Sequence, residues 1–355
     1  MPHFLIEMTQ TIHRKLNESS AARWTVLFIV SVVMMMGYVV AKEMSPLQYF
    51  LELPQSEGGL GWSSSEFGLF IGSRGFFNVY LLMLFVSGVI LDKTGVRFAG
   101  MLSCVLMLVG TAIDYYAIAI ASPVPATEVT FPTLGLDHTM VKDQVLMSAF
   151  GFAVFGIGYE LCGITVSKVI VKWFSGKEMA LAMGIQVALA RFGTALALLG
   201  GPFLAKYYQL STPILVGLFS VGLAVVIYLI YCAMDRKLDK ASDADNNEEK
   251  KAEKFSFKGL LTTLRSPGFW LITLLCMLYY SALYPFLDFA TKLMISKYGV
   301  SPEWAGGISS ILPFTSIILT PLFGGVYDRV GKGASIMILG TAMLTVVLMV
   351  FALPL

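Results

Sequence analysis

Gly88-Val89-Ile90-Leu91-Asp92-Lys93-Thr94-Gly95-Val96-Arg97 is a short polar break between two long apolar stretches. It returns 236 residues later as Gly324-Gly325-Val326-Tyr327-Asp328-Arg329-Val330-Gly331-Lys332. Gly88, Asp92 and Gly95 recur as Gly324, Asp328 and Gly331, and Lys93 recurs as Arg329. Each copy fills the link between the second and third apolar stretches of its half of the chain. One such string reads as a tight polar turn; two at matching places read as a duplicated helical unit. The residue types have local reasons. Glycine allows close helix contact, and an Asp beside Lys or Arg can pair across helix ends.

The chain around these segments is 56% hydrophobic and 14% charged over 355 residues. Soluble domains carry about 25% charged residues, so the lipid bilayer is the expected surrounding. Runs of about 20 apolar residues predict nine spans, at 24–42, 67–91, 98–121, 146–171, 179–205, 212–233, 268–290, 304–327 and 334–354. No closed-barrel pattern of alternating ten-residue segments is present, and helices are the other way to satisfy a backbone in lipid. The expected fold class is therefore an all-α membrane protein. Its order is a cytoplasmic segment at 1–23, a six-helix bundle at 24–233, a cytoplasmic linker at 234–267 and a partial three-helix bundle at 268–355. The linker holds a solvated charged run at 243–251. Phe257, Leu260, Leu261 and Leu264 then predict a short helix lying on the membrane surface.

Lys and Arg in the links set the orientation. With the N-terminus in the cytoplasm, 17 of them fall in inside links, eight of those between 234 and 267, and 5 outside. The expected product is a multi-pass protein of the cell (inner) membrane with a cytoplasmic N-terminus. The net charge of +2 is topological and points to no nucleic acid. Cys104, Cys162, Cys232 and Cys276 are scattered through the spans, and His3, His13 and His138 lie outside them. No metal site or cofactor is expected, and neither a P-loop nor a nucleophile elbow marks an enzyme.

The paired segments resemble the signature of the major facilitator superfamily: a Gly, then Asp with Lys or Arg, then Gly and a basic residue. Gly88, Asp92, Lys93, Gly95 and Arg97 match it once, and Gly324, Asp328, Arg329, Gly331 and Lys332 match it again. The resemblance implies two six-helix bundles that rock about a central site, with these ten residues gating the cytoplasmic side. It also implies twelve spans, so the chain is expected to lack its last three-helix unit.

Two ionisable side chains lie near the middle of the fourth and fifth spans. Glu160 stands 15 residues before Ser175, and Arg191 stands 15 after Gly176 in the link that joins the two spans. At about 1.5 Å per residue both hang roughly 22 Å from one membrane face. Charges at that depth are costly and mark pathways and binding sites. An Arg and a Glu that line a cavity together suit a zwitterion, the fork for a carboxylate and the carboxylate for an ammonium; a purely structural ion pair is the plain alternative. Tyr279, Tyr280 and Tyr284 on the seventh span can offer hydroxyls, and Asn78 on the second can bond a ligand or a neighbouring helix. Arg74 and Asp114, in the outer thirds of their spans, can pair with each other or face the entrance, Lys168 reads as snorkelling, and Asp288 and Lys292 read as solvated at the end of the seventh span.

The run Phe269-Trp270-Leu271 through Tyr279-Tyr280 to Tyr284-Pro285-Phe286 resembles the superfamily branch that contains the lysosomal dipeptide uniporter. That likeness implies that Glu160 and Arg191 bind the two ends of a dipeptide. The expected activity is transport of a small zwitterionic solute by rocking-bundle alternating access. The alternatives are a proton-coupled carrier of small organic anions and a non-transporting membrane sensor or scaffold.

Overall fold

Buried residues recur every three or four positions from Val26 through Val30, Val33 and Gly37 to Val40 and Ala41. This stripe makes α1 (Ser20–Glu43) the spine of the molecule, with α6 (Asp143–Phe174), α7 (Met179–Tyr207) and α8 (Thr212–Ser242) packed against it. The computed structural model describes residues 19–121, 126–131, 136–174, 178–242, 262, 264–330 and 333–353. The 1–18 part of the N-terminal segment, the charged run at 243–251 and most of the expected surface helix lie outside them.

Pro46 removes an amide donor just after α1, and a 3-10 turn (Ser45–Leu47) leads into α2 (Gln48–Glu52). Ser63 opens α3 (Ser64–Ser73) with a capping box. Its hydroxyl accepts from the Glu66 N–H, and the Glu66 carboxylate accepts from the Ser63 N–H.

The span expected at 67–91 is not one rod. α3 gives way at Arg74-Gly75 to α4 (Phe76–Tyr80), and the chain turns again at Leu82, φ 51°, into α5 (Met83–Ala119). Polar side chains at the break reach carbonyls on other helices. Arg74 Nη1 donates to Ala41 O of α1 at 3.2 Å, and Asn78 Nδ2 donates to Gly156 O of α6 at 3.1 Å. Hydropathy registers the apolar run but not these distant acceptors. α5 in turn joins the remainder of the second expected span to the third. Its one departure from helical geometry is Gly95 (φ 79°, ψ 171°), a backbone shape open to glycine.

The link after α5 carries an antiparallel hairpin, β1 (Ala126–Phe131) and β2 (Leu136–Lys142), with Ala126 opposite Lys142 and Thr127 opposite Val141. β-branched residues suit such strands, but segments this short fall below a search for 20-residue apolar runs. Six long helices follow among the described residues: α6 (Asp143–Phe174), α7 (Met179–Tyr207), α8 (Thr212–Ser242), α9 (Pro267–Tyr298), α10 (Pro302–Val330) and α11 (Gly333–Ala352). α8 continues past the boundary expected at 233 because its added turns are anchored. Lys172 bonds Asp235 at 2.8 Å and Asp239 at 2.9 Å, and Arg97 bonds Asp239 at 2.9 Å.

Among the described residues, seven helical segments are long and apolar enough to cross a bilayer, against nine expected spans. The two others are the broken α3–α4 region and α10, 29 residues long. The result is an all-α membrane bundle. α5 and α6 pack most intimately: a Cβ at Gly158 would stand 2.6 Å from Ser103 O and 2.7 Å from Met107 N, so the two backbones meet because no side chain intervenes.

At the face where α1 begins, Asp92 pairs with Lys168 at 2.5 Å, so this lysine is anchored rather than snorkelling. Lys93 is exposed, and Arg97 binds Asp235 and Asp239. Gly88 and Gly95 lie in α5. Gly324, Asp328 and Arg329 fall within α10, while Gly331 and Lys332 lie outside the described residues.

Candidate functional site

A cavity of about 540 Å³ lies between the α3–α4 break, α6 and α9. Arg74 and Asn78 come from the break, Glu160 from mid-α6, and Tyr284 and Asp288 from α9. Gly156 brings the break this close, since a Cβ there would run into the Arg74 carbonyl. Arg74 is steered by its bond to Ala41 O and by the Tyr159 ring, whose centroid is 5.8 Å from its guanidinium carbon. Tyr38 meets the same Tyr159 edge-on at 5.2 Å. Asn78 Oδ1 is buried without a hydrogen-bond partner.

Glu160 is half-buried, and the charge that acts on it is that of Arg74. Arg191, also half-buried, is not among the residues lining this cavity, and among the described residues no ion pair joins it to Glu160. Its charge acts on Lys42 and Tyr284 instead. Counting residues from a shared link sets depth, but the direction a side chain takes around its helix depends on neighbours. Here α6 turns Glu160 toward the α3–α4 break. Arg74 does not pair with Asp114, which accepts from Ser148 Oγ in a buried contact between α5 and α6.

Of the three tyrosines, Tyr284 lines the cavity and stacks on Tyr280 at 5.2 Å, while Tyr279 and Tyr280 are exposed. Asp288 and Lys292 are not simply solvated. Asp288 is buried and ion-paired with Lys42, and Lys292 is paired with Glu52. Sequence reasoning missed Lys42. The depth argument used for Glu160 and Arg191 applies equally to a lysine and an aspartate near the same ends of the first and seventh spans.

Two carboxyls beyond the spans are shifted. Burial pushes Glu66 up, but hydrogen bonds from Lys142 and Ser63 outweigh it and hold the carboxyl below its ordinary value. The Lys206 bond, helped by Ser301, holds Glu303 below its ordinary value too. Among the described residues no group of three or more His, Cys, Asp or Glu is placed to hold a metal ion.

A profile of the Major Facilitator Superfamily matches residues 19–355, and the chain belongs to that family. The lysosomal dipeptide transporter MFSD1 of Homo sapiens is 28% identical over 198 residues, covering 52% of this chain and 41% of the human protein. Its counterpart in Danio rerio is 27% identical over 261 residues, covering 71% of this chain and 51% of that protein. The chain thus spans about half the length, or less, of these curated relatives. The crystal structure of a D-xylose-proton symporter matches with a TM-score of 0.57 at 14% identity, over 88% of this chain and 70% of that one. That is a likeness of fold.

Proposed function

We propose that this protein moves a small zwitterionic solute, a dipeptide above all, across its membrane by rocking-bundle alternating access. The observation that supports this most is a cavity with a carboxylate and a guanidinium facing it together, Glu160 and Arg74. Glu160 takes the ammonium. The carboxylate goes to the positive side, where Arg74 offers a planar fork and Arg191 adds charge from α7. Asn78 Oδ1 and the Tyr284 hydroxyl complete the polar lining, with Tyr279 and Tyr280 flanking it. A volume near 540 Å³ lies within the roughly 300–1,000 Å³ of small-molecule pockets. The relatives named as dipeptide transporters support the same solute class. Gly88, Asp92, Lys93, Gly95, Arg97 and their counterparts at 324–332 act in gating at the N-terminal face, which the Lys and Arg distribution assigns to the cytoplasm. The cell membrane is the proposed site; localisation of a tagged chain separates it from the lysosomal membrane in the relatives' name.

A dipeptide at about 100 times its Kd stabilises a folded protein by about 2.7 kcal/mol. Thermal unfolding of the purified chain should therefore shift upward with dipeptide, and Glu160→Gln or Arg74→Ala should abolish the shift. Undiminished binding in both variants rules the reading out. Arg74 and Glu160 facing one cavity also support one second reading, a small organic anion held by Arg74 and carried with a proton on Glu160. Uptake with and without a pH gradient separates the two.

A further inference from the structure

Three glycines stand together in the cavity wall. Gly68 and Gly72 sit one turn apart on α3, Gly75 sits at the α3–α4 break, and all three line the cavity. Spacings of four and three keep them on one helical face. Glycine destabilises a helix relative to alanine. At Gly110, Gly156 and Gly158 close packing explains it, because a Cβ there would strike the backbone of a neighbouring element. The cavity glycines have no such neighbour. A Cβ at Gly68 or Gly72 would meet nothing within 4 Å, and one at Gly75 would make only ordinary contacts, with Gly72 O at 3.9 Å and Val79 Cγ2 at 4.0 Å. This face of the cavity is bare backbone with open space before it. The lining beside it is apolar: Ile71 and Val79 are near the glycines in the chain, and Phe289 enters from α9. Phe289 is held by the fully buried Phe67, edge to face at 5.8 Å.

We infer that the glycine face is the specificity pocket of this site: it receives the side chain of a dipeptide's C-terminal residue and selects one that is large and apolar. The inference rests on the dipeptide reading above. Arg74 stands between Gly72 and Gly75, so a carboxylate on its fork lies beside the bare face. In a dipeptide the carbon that bears the carboxylate also bears the C-terminal side chain, and the glycine face is the space next to it. The six residues from Gly68 to Arg74 span about 9 Å of helix, which leaves room for a side chain as long as leucine or phenylalanine. Such a group meets backbone, Ile71, Val79 and Phe289, and its apolar surface leaves water. A C-terminal glycine leaves the face wet. The ammonium end goes to Glu160 on another helix, so the N-terminal side chain is not read by this face.

Calorimetric titration of the purified full chain with alanyl-phenylalanine, phenylalanyl-alanine and alanyl-glycine tests this. Alanyl-phenylalanine should bind at least about tenfold tighter than either of the others, the effect of burying one large apolar side chain. Gly72→Leu fills the face with the protein's own side chain and should bring the ratio of alanyl-phenylalanine to alanyl-glycine affinity down to about one. Gly72→Ala adds a single methyl where there is room for it and should lower the ratio part of the way. Equal binding of all three peptides by the parent overturns the pocket and leaves the dipeptide reading standing; binding of none overturns both. Tighter binding of phenylalanyl-alanine than of alanyl-phenylalanine puts the selected side chain at the other end and overturns the assignment. So does a parental ratio in both Gly72 variants, since a glycine with a purely structural role would weaken the two peptides alike.

Discussion

Gly158→Ala places a methyl carbon 2.6 Å from Ser103 O and 2.7 Å from Met107 N, both backbone atoms of α5. Carbon–oxygen contacts settle at roughly 3.3–3.6 Å, so the helices must part by roughly 0.7–1 Å. A backbone atom in mid-helix cannot swing aside as the tip of a side chain can. Overpacking of this kind costs about 1–3 kcal/mol. The displacement also reaches the cavity, because Glu160 is two residues along α6 and Gly156 two residues back, against the Arg74 carbonyl. Moving α6 moves one charged wall relative to the other. Thermal unfolding followed by intrinsic fluorescence, with and without dipeptide, should show a lower Tm and a smaller ligand shift. Gly200→Ala in α7 is the control: its Cβ meets nothing within 4 Å, and alanine gains up to about 1 kcal/mol of helix propensity. Equal melting of the two variants would refute the close-contact argument.

Arg74→Lys keeps the charge but loses the planar fork; dipeptide affinity by calorimetric titration should fall about tenfold, the worth of one charged hydrogen bond near 1.5 kcal/mol. Unchanged affinity would place the ligand away from the α3–α4 break. The depressed Glu66 carboxyl predicts a pH dependence. A carboxyl whose folded pKa lies below its unfolded value of about 4.3 adds stability above that pH and loses it as pH falls through the folded value. The Tm gap between the parent and Glu66→Gln should therefore be full at pH 7, shrink below about pH 4.3 and close under stronger acid. A gap that stays constant with pH would show that the ion pair with Lys142 contributes nothing through titration.

Much of the fold was legible because it rests on quantities that add along the chain. Apolar length located α1, α6, α7 and α11 closely and the start of α9, and the glycine-aspartate repeat located the turn at Gly95. Where expectation and structure part, a distant partner is responsible. Arg74 and Asn78 reach carbonyls in α1 and α6, so the second expected span becomes three pieces. Asp235 and Asp239 reach Arg97 and Lys172, so α8 outlasts its apolar stretch. The hairpin at 126–142 escaped because strands of six and seven residues fall beneath a span-length window.

The cavity shows the same division. Glu160 and Tyr284 were named from type and depth, and both face it. Arg191 was matched to Glu160 by depth, yet Arg74 is the cation that faces Glu160. The sequence by itself determined that this chain is helical and lives in a bilayer, and that it is built on a repeated unit with charges held at depth. Hydropathy, spacing and repetition are properties of each segment alone. Only the tertiary structure decided which of those charges meet. The facing of a side chain around its helix is set by contacts such as Lys42 with Asp288, 246 residues apart.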